Sequence, residues 1–478
     1  MGFTYDGERL LTGAGSFAIS RFNDTGVNET GLPYQVSNGT FSLNRSFNGY
    51  GETSSENAVV NSQDVYSWNV LARFNDGSIK TKSETIGGVT TTLEYTYDPM
   101  GRLATVTKDG SLVEEYDYTR LPYGTCTYQM NSLRGIAGRS LDYDDEDHLL
   151  STDDAGYQYD LDGFLQSKTT TAGMTSYNYS SRGELLNVDL PDGTAIEYIH
   201  DPLGRRIAKK VNNVITEKYL WSGLTTLLAI YDGSDNLLMR FKYADGRMPV
   251  AVEKAGATYY LAYDQVGTLR AVADSTGNVI KGITYDSFGF VLNDTNPAFE
   301  VPFGFAGGLY DKDTGLVRFG YRDYDPDTGR WTAKDPIGFA GGSSDLYGYC
   351  LGDGVNLVDT VGLFSWGFGG SIGPISVSWD SARPTESSVS LTSDIEIGGG
   401  FSFTFDHPFP ESNPPKLPFD INIGPGRWLG FSTDGTKISI KLGIGAGLTP
   451  VDISKEVVIL CHDSGTVKKP LITEDNCP

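Results

Sequence analysis

Cysteine is scarce in this chain: Cys126, Cys350, Cys461 and Cys477 are the four found among 478 residues. Cysteines so few and so scattered argue against a disulfide framework or a metal cluster. Only Cys461 and Cys477 lie close enough in sequence to close a small terminal loop. Long apolar runs are missing too. No stretch approaches the roughly 18 to 20 apolar residues of a membrane-spanning helix. The opening MGFTYDGERLLTG has no apolar signal core, so export would depend on something outside the visible sequence. Basic residues are outnumbered, 37 Lys and Arg against 61 Asp and Glu, giving a net charge of -24. Both the first 363 residues and the remainder are acidic, which argues against a general nucleic-acid surface, because phosphate contacts need clustered cations. Helical periodicity is nearly absent.

What the chain has is glycine and aromatics: 59 Gly, 28 Tyr and 23 Phe, with 39% hydrophobic residues. That mixture predicts many short strands joined by tight turns, an all-β fold. A chain this long exceeds one ordinary core unless a repeat intervenes. A repeat does intervene: an aromatic residue, Asp one later, Gly four later and an aliphatic residue six later. Tyr97-Asp98 with Gly101 and Leu103, Tyr159-Asp160 with Gly163 and Leu165, Tyr263-Asp264 with Gly267 and Leu269, and Tyr285-Asp286 with Gly289 and Val291 are the clear copies. Degenerate copies start at Tyr5, Trp68, Tyr143, Tyr179, His200 and Tyr219, and one is blurred near Tyr243.

The spacing has a physical reading. The aromatic ends a strand, the Asp side chain accepts hydrogen bonds from backbone N–H groups of the turn, and Gly supplies the positive φ that closes it. Two strands of about seven residues fill one unit, and a lone hairpin of that size is marginal in water. Neighbouring hairpins must therefore stack into one continuous antiparallel sheet.

After the last clear copy, residues 310 to 363 read YDKDTGLVRFGYRDYDPDTGRWTAKDPIGFAGGSSDLYGYCLGDGVNLVDTVGL. Tyr310, Asp311, Gly315, Arg322, Tyr324, Asp325, Pro326, Arg330, Trp331, Asp335, Pro336, Tyr347, Gly362 and Leu363 fall where a known pattern expects them. The stretch resembles the RHS core signature that closes the YD-repeat shells of Rhs and polymorphic-toxin proteins. The resemblance implies a β-hairpin sheet that spirals into a hollow cocoon. It divides the chain into YD/RHS repeats over 1–300, the RHS core with a self-cleavage element over 301–363, and a variable C-terminal domain over 364–478. The chain begins inside a repeat, at Tyr5, and its repeat part is short for a closed shell of this family. An incomplete cocoon, or the C-terminal part of a larger or split protein, is therefore expected.

The same resemblance implies that aspartates sever the chain just after the motif DPxGL. Asp335 of DPIG and Asp359 of DTVG are the implied carboxylates, and the cut falls between Leu363 and Phe364. Lys334 stands where the family often has a basic residue and is the implied supporting cation. The chemistry can be argued separately: two carboxylates held close cannot both ionise, so one can activate water while the other protonates the amide. Asp-Pro followed by Gly is also an ordinary turn, in which the Asp only accepts hydrogen bonds. Three residues depart from the pattern: Thr360 replaces a proline, Asp345 stands where Asn is usual, and Gly354 stands where Pro often is. Cys350, between Tyr349 and Leu351, reads as a packed thiol without a matched His.

Beyond Phe364 the Tyr-Asp pattern stops. Alternating apolar runs at 375–379, 389–391, 395–397, 401–405, 419–423 and 438–444 predict half-buried strands of a small β-rich domain. By resemblance this is the cargo, a toxic effector neutralised by a cognate immunity protein. Secretion-system or N-terminal components would deliver it from a secreted or cell-surface bacterial protein. Asp406, His407, Cys461 and His462 are its candidate reactive groups, but their spacing matches no defensible catalytic motif. No motif calls for a cofactor or a metal. Two other readings remain open here: a structural surface or adhesion protein, and a membrane-active tip whose alternating strands face lipid.

Overall fold

The computed structural model describes residues 2–7, 9–22, 31–118 and 126–363. Beyond them it describes six strands as backbone, 375–378, 388–391, 419–422, 427–433, 437–444 and 456–460. Contacts divide the chain into two units, 1–374 with 392–400, and 375–391 with 401–478. In the first unit, 28 strands from Phe3–Tyr5 to Val291–Asp294 form one antiparallel sheet in which each strand pairs with its neighbours in sequence. The chain is all-β, as composition and repeat predict.

The turn chemistry is visible at Asp98. Its Oδ1 accepts from the N–H groups of Met100 and Arg102, each at 2.9 Å. Gly101, at φ 84°, donates to the Asp98 carbonyl at 2.9 Å. Two expected copies are not turns. Trp68 lies inside strand Gln63–Arg73 and Tyr219 inside Val214–Ser222. In both, the turn-forming Asp is missing: Asn69 pairs with Ser55 and Ser83 on either side, and Leu220 pairs with Ala229. The sequence also conceals a copy at Tyr231-Asp232, because its glycine is replaced by Asp235 at φ 66°. Asp232 nonetheless collects the N–H groups of Ser234 and Asn236 at 2.9 Å each.

The sheet curls back on itself. Strands Ala257–Tyr263 and Leu269–Ala273 are covered on both faces. Ala262, Ala271 and Ala273 pack with Phe41, Val60 and Trp68 on one side, and Leu261, Leu269 and Val272 pack with Phe303 and Leu309 on the other. The Phe41 and Tyr260 rings stack with centroids 5.1 Å apart. Polar links reinforce the overlap: Lys82 Nζ donates to Gln265 Oε1 at 2.8 Å, and Arg270 pairs with the buried Glu84.

After Asp294 the chain leaves the sheet. Residues 298–363 make a small four-stranded sheet of Leu309–Tyr310, Val317–Phe319, Arg322–Asp325 and Arg330–Trp331. Its core is aromatic: Phe305, Phe319, Tyr324, Trp331 and Tyr349 pack together, with the thiol of Cys350 buried among them. Ion pairs hold this segment against the repeat sheet, with acids on the segment and bases on the sheet. Asp311 faces Lys209 at 2.7 Å, Asp323 faces Arg206 at 2.9 Å, and Asp327 faces Lys168 at 2.9 Å and Arg139 at 3.1 Å. Backbone contacts add direction, since Leu165 N donates to Thr332 O at 2.9 Å and Tyr347 Oη to Gly163 O at 2.7 Å.

In the second unit, strands Ile375–Ser378 and Ser388–Leu391 form a hairpin, and four strands between Phe419 and Leu460 form an antiparallel meander. Strands 427–433 and 456–460 were not anticipated from the alternation, and the expected runs 395–397 and 401–405 lie outside the described residues.

Candidate functional site

Asp335-Pro336-Ile337-Gly338 repeats the geometry of the Asp98 turn. Gly338 N donates to the Asp335 carbonyl at 2.9 Å, and Ile337 N to Asp335 Oδ1 at 3.0 Å. Asp359-Thr360-Val361-Gly362 builds a second such turn, in which Asp359 Oδ1 accepts from Val361, Gly362 and Leu363 N at 3.3, 2.8 and 3.2 Å. A proline at 360 is not needed, because the aspartate alone caps these donors.

The fold brings the two turns face to face across one guanidinium. Arg322 Nη2 lies 3.0 Å from Asp335 Oδ2 and 3.3 Å from Asp359 Oδ2. Arg322 comes from the small sheet, stacks 4.2 Å from the Trp331 ring centroid, and donates through Nε to the Gly362 carbonyl. Tyr321 N donates to Val361 O at 2.9 Å, so the hairpin turn of the small sheet grips the chain just before Leu363. Gly362, at φ 71°, allows that grip: a Cβ there would stand 2.5 Å from the Phe319 carbonyl oxygen.

Arg322, Asp335, Gly341, Leu346, Asp359 and Leu363 line a shared cavity with about 10 Å³ open to the centre of a water molecule, the room of a single water. A Cβ built on Gly341 would lie 2.7 Å from Asp335 Oδ2 and 3.0 Å from the Leu363 carbonyl oxygen, so the glycine leaves carboxylate and carbonyl facing one small space. Burial pushes the Asp335 carboxyl up to about 6. Arg322 and the Ile337 N–H offset this only in part, and the Asp359 charge adds to it. Burial likewise pulls the Arg322 guanidinium below its ordinary value, against the opposing pull of both aspartates.

Asp335, Asp359 and Leu363 thus meet at one site. Lys334 does not join them: it is exposed, with its Cδ beside Gly163, and the cation facing both carboxylates is Arg322. Sequence reasoning gave Arg322 no role, because 13 residues separate it from Asp335 and 37 from Asp359. Phe364, Asp406, His407, Cys461, His462 and Cys477 lie outside the described residues. Among the described residues, no cluster of His, Cys, Asp and Glu has the makings of a metal site.

The family model of the teneurin YD-shell matches residues 2–340. The chain belongs to the YD-shell family. The match includes Asp335 and stops before Asp359 and Leu363. Among relatives of this YD-shell, Teneurin-3 of Danio rerio is 31% identical over 275 residues, 56% of this chain. Teneurin-4 of Mus musculus is 32% identical over the same length. The chain spans about 10% of the length of these relatives. Among solved structures, the Photorhabdus luminescens Tc holotoxin pore with a TccC3 mutation aligns at TM-score 0.38 and 14% identity, over 73% of this chain and 21% of that one. A TcdB2-TccC3-TEV structure aligns at TM-score 0.32 and 17% identity, over 73% and 23%.

Proposed function

We propose that this YD-shell protein carries the segment 364–478 as cargo and frees it by cutting its own backbone between Leu363 and Phe364. The observation that carries the reading is the meeting of Asp335, Asp359, Arg322 and the Leu363 carbonyl at a cavity with room for one water. Asp335, with its carboxyl raised to about 6, takes a proton from that water as the water oxygen bonds to the Leu363 carbonyl carbon. The same proton then passes to the departing Phe364 nitrogen as the C–N bond breaks, leaving a Leu363 carboxylic acid, which gives its remaining proton to solvent, and a Phe364 amine. Asp359 holds the turn that presents Leu363, and Arg322 balances the two carboxylates. The exposed Lys334 has no part in these steps.

In this reading the freed tip is a toxic effector in competition between bacterial cells. A cognate immunity protein protects the producer, and secretion-system or N-terminal components bring the shell outside or to the cell surface. Gel analysis of the full-length protein tests the cut. The expected result is two fragments, one ending at Leu363 and one starting at Phe364, that merge into one band in Asp335→Asn. A single intact band in the unmutated protein overturns it. Cytosolic and exported expression of 364–478 tests toxicity, and normal growth in both compartments removes the effector.

A second reading is a structural surface or adhesion protein with no cut, and it is favoured by a family match that covers the shell and ends at residue 340, before Asp359 and Leu363. It predicts the intact band and a harmless tip.

A further inference from the structure

Two groups of the site hang on one carbonyl oxygen. Leu346 O accepts from the backbone N–H of Asp335 at 3.1 Å and from Arg322 Nη1 at 3.2 Å. A shift of this oxygen would move the proton-carrying carboxylate and its cation together. Leu346 lies in a turn whose next residues are tied to the small sheet, Trp331 N donating to Tyr347 O at 2.9 Å and Gly348 bridging Arg330. A side chain, Asp345, fastens the turn on its other side. Its two carboxylate oxygens meet Arg330 Nη1 and Nη2, both at 2.8 Å, in a two-pronged pair. Asp345 Oδ1 also accepts from Tyr347 N at 2.9 Å, which closes the turn around Leu346.

Arg330 is itself immobilised. It donates to the Asp147 carbonyl at 2.8 Å, lies 4.8 Å from the Tyr143 ring centroid, and belongs to the small sheet. The anchor thus runs from the repeat sheet through Arg330 and Asp345 to the Leu346 carbonyl, and from there to Asp335 and Arg322. Asp345 lines the same cavity, but its two oxygens are held by Arg330 and Tyr347 N, and among the described residues it makes no hydrogen bond to Asp335, Asp359 or the Leu363 carbonyl.

We infer that Asp345, gripped by Arg330, is a positioning residue for the self-cutting site, setting the Leu346 carbonyl that aligns Asp335 with Arg322. The inference rests on the reading that the chain severs itself after Leu363. Misplacing a reacting group by a fraction of its contact distance costs about tenfold or more in rate. Asp345→Ala removes the grip, whereas Asp345→Asn keeps Oδ1, which accepts from both Arg330 Nη2 and Tyr347 N, and loses only the prong to Arg330 Nη1.

The test uses the full chain, refolded from denaturant, with fragments followed over time on gels between pH 5 and 8. Unmutated protein and Asp335→Asn serve as references, and thermal unfolding of each variant checks the fold. Asp345→Ala is expected to cut about tenfold more slowly, with its pH midpoint displaced because Arg322 and Asp359, the charged groups facing Asp335, no longer sit at their distances. Asp345→Asn should recover most of the rate. Equal rates and midpoints for Asp345→Ala and the unmutated protein, with Asp335→Asn inactive, overturn the inference and leave the cut standing. An unmutated protein that never cuts overturns both.

Discussion

Asp98 in the repeat sheet and Asp335 in the terminal segment open similar turns: Oδ1 accepts from the N–H two residues on, at 2.9 and 3.0 Å, and the glycine three residues on donates to the aspartate carbonyl at 2.9 Å, while Asp98 Oδ1 accepts in addition from Arg102 N. Their surroundings differ. Partial burial raises the Asp98 carboxyl, but Arg102 and the N–H groups of Arg102 and Met100 outweigh it, and the group ends below its ordinary value. Both its oxygens are occupied, Oδ2 by the Arg102 side chain at 2.6 Å. At Asp335 burial wins and the carboxyl rises to about 6, with Oδ2 turned to a shared cation and a small cavity. A turn aspartate becomes a candidate acid–base group when the fold covers it and turns one oxygen toward a cavity.

The sharpest way to break this comparison is to exchange the two aspartates' fates. Asp335→Asn and Asp359→Ala should each abolish fragment formation, while Asp98→Ala should leave it untouched and cost about 1 to 2 kcal/mol of stability, read by denaturant unfolding. Next, Arg322→Leu strands two buried carboxylates. It should stop the cut and destabilise the shell by about 3 to 5 kcal/mol, measured on the same gels and melts.

The pH dependence separates the two turns by sign. A raised carboxyl such as Asp335 contributes stability below its unfolded value near 4 and loses it as pH rises through about 6. A lowered one such as Asp98 contributes above that unfolded value and loses its contribution as pH falls through its folded value. Cutting should therefore quicken roughly tenfold between pH 5 and pH 7, as Asp335 ionises to act as base, and level off above.

The smallest effect is expected at a second buried pair. Burial together with the charge of Asp286 pushes Glu114 up to about 7. Glu114→Gln should thus stabilise the shell more at pH 8 than at pH 5, as thermal melts at the two values would record.

Much of the sheet was legible because its signal is local. Tyr97, Asp98, Gly101 and Leu103 sit within one turn of each other, so residue type and spacing suffice. The exceptions were local too: Trp68 and Tyr219 kept the aromatic but lost the Asp, and Tyr231-Asp232 kept the Asp but lost the Gly. At the candidate site, Asp335, Asp359 and Leu363 could be named from the signature. Arg322 and Arg330 stand in the same signature, but their roles, like those of the Leu346 carbonyl and Asp345, could not be read from it, since they arise only where segments distant in sequence touch. The paired acids and bases that dock the terminal segment were hidden for the same reason: Asp311 and Lys209 are 102 residues apart.

Sequence by itself determined the all-β character, the antiparallel order of neighbours and the aspartate turns, because each depends on residues within a few positions and on backbone sterics. Only tertiary structure decided which of those turns are buried, which cation they share and which carbonyl they face. Desolvation and charge pairing act through space, and the chain's order in sequence carries no record of them.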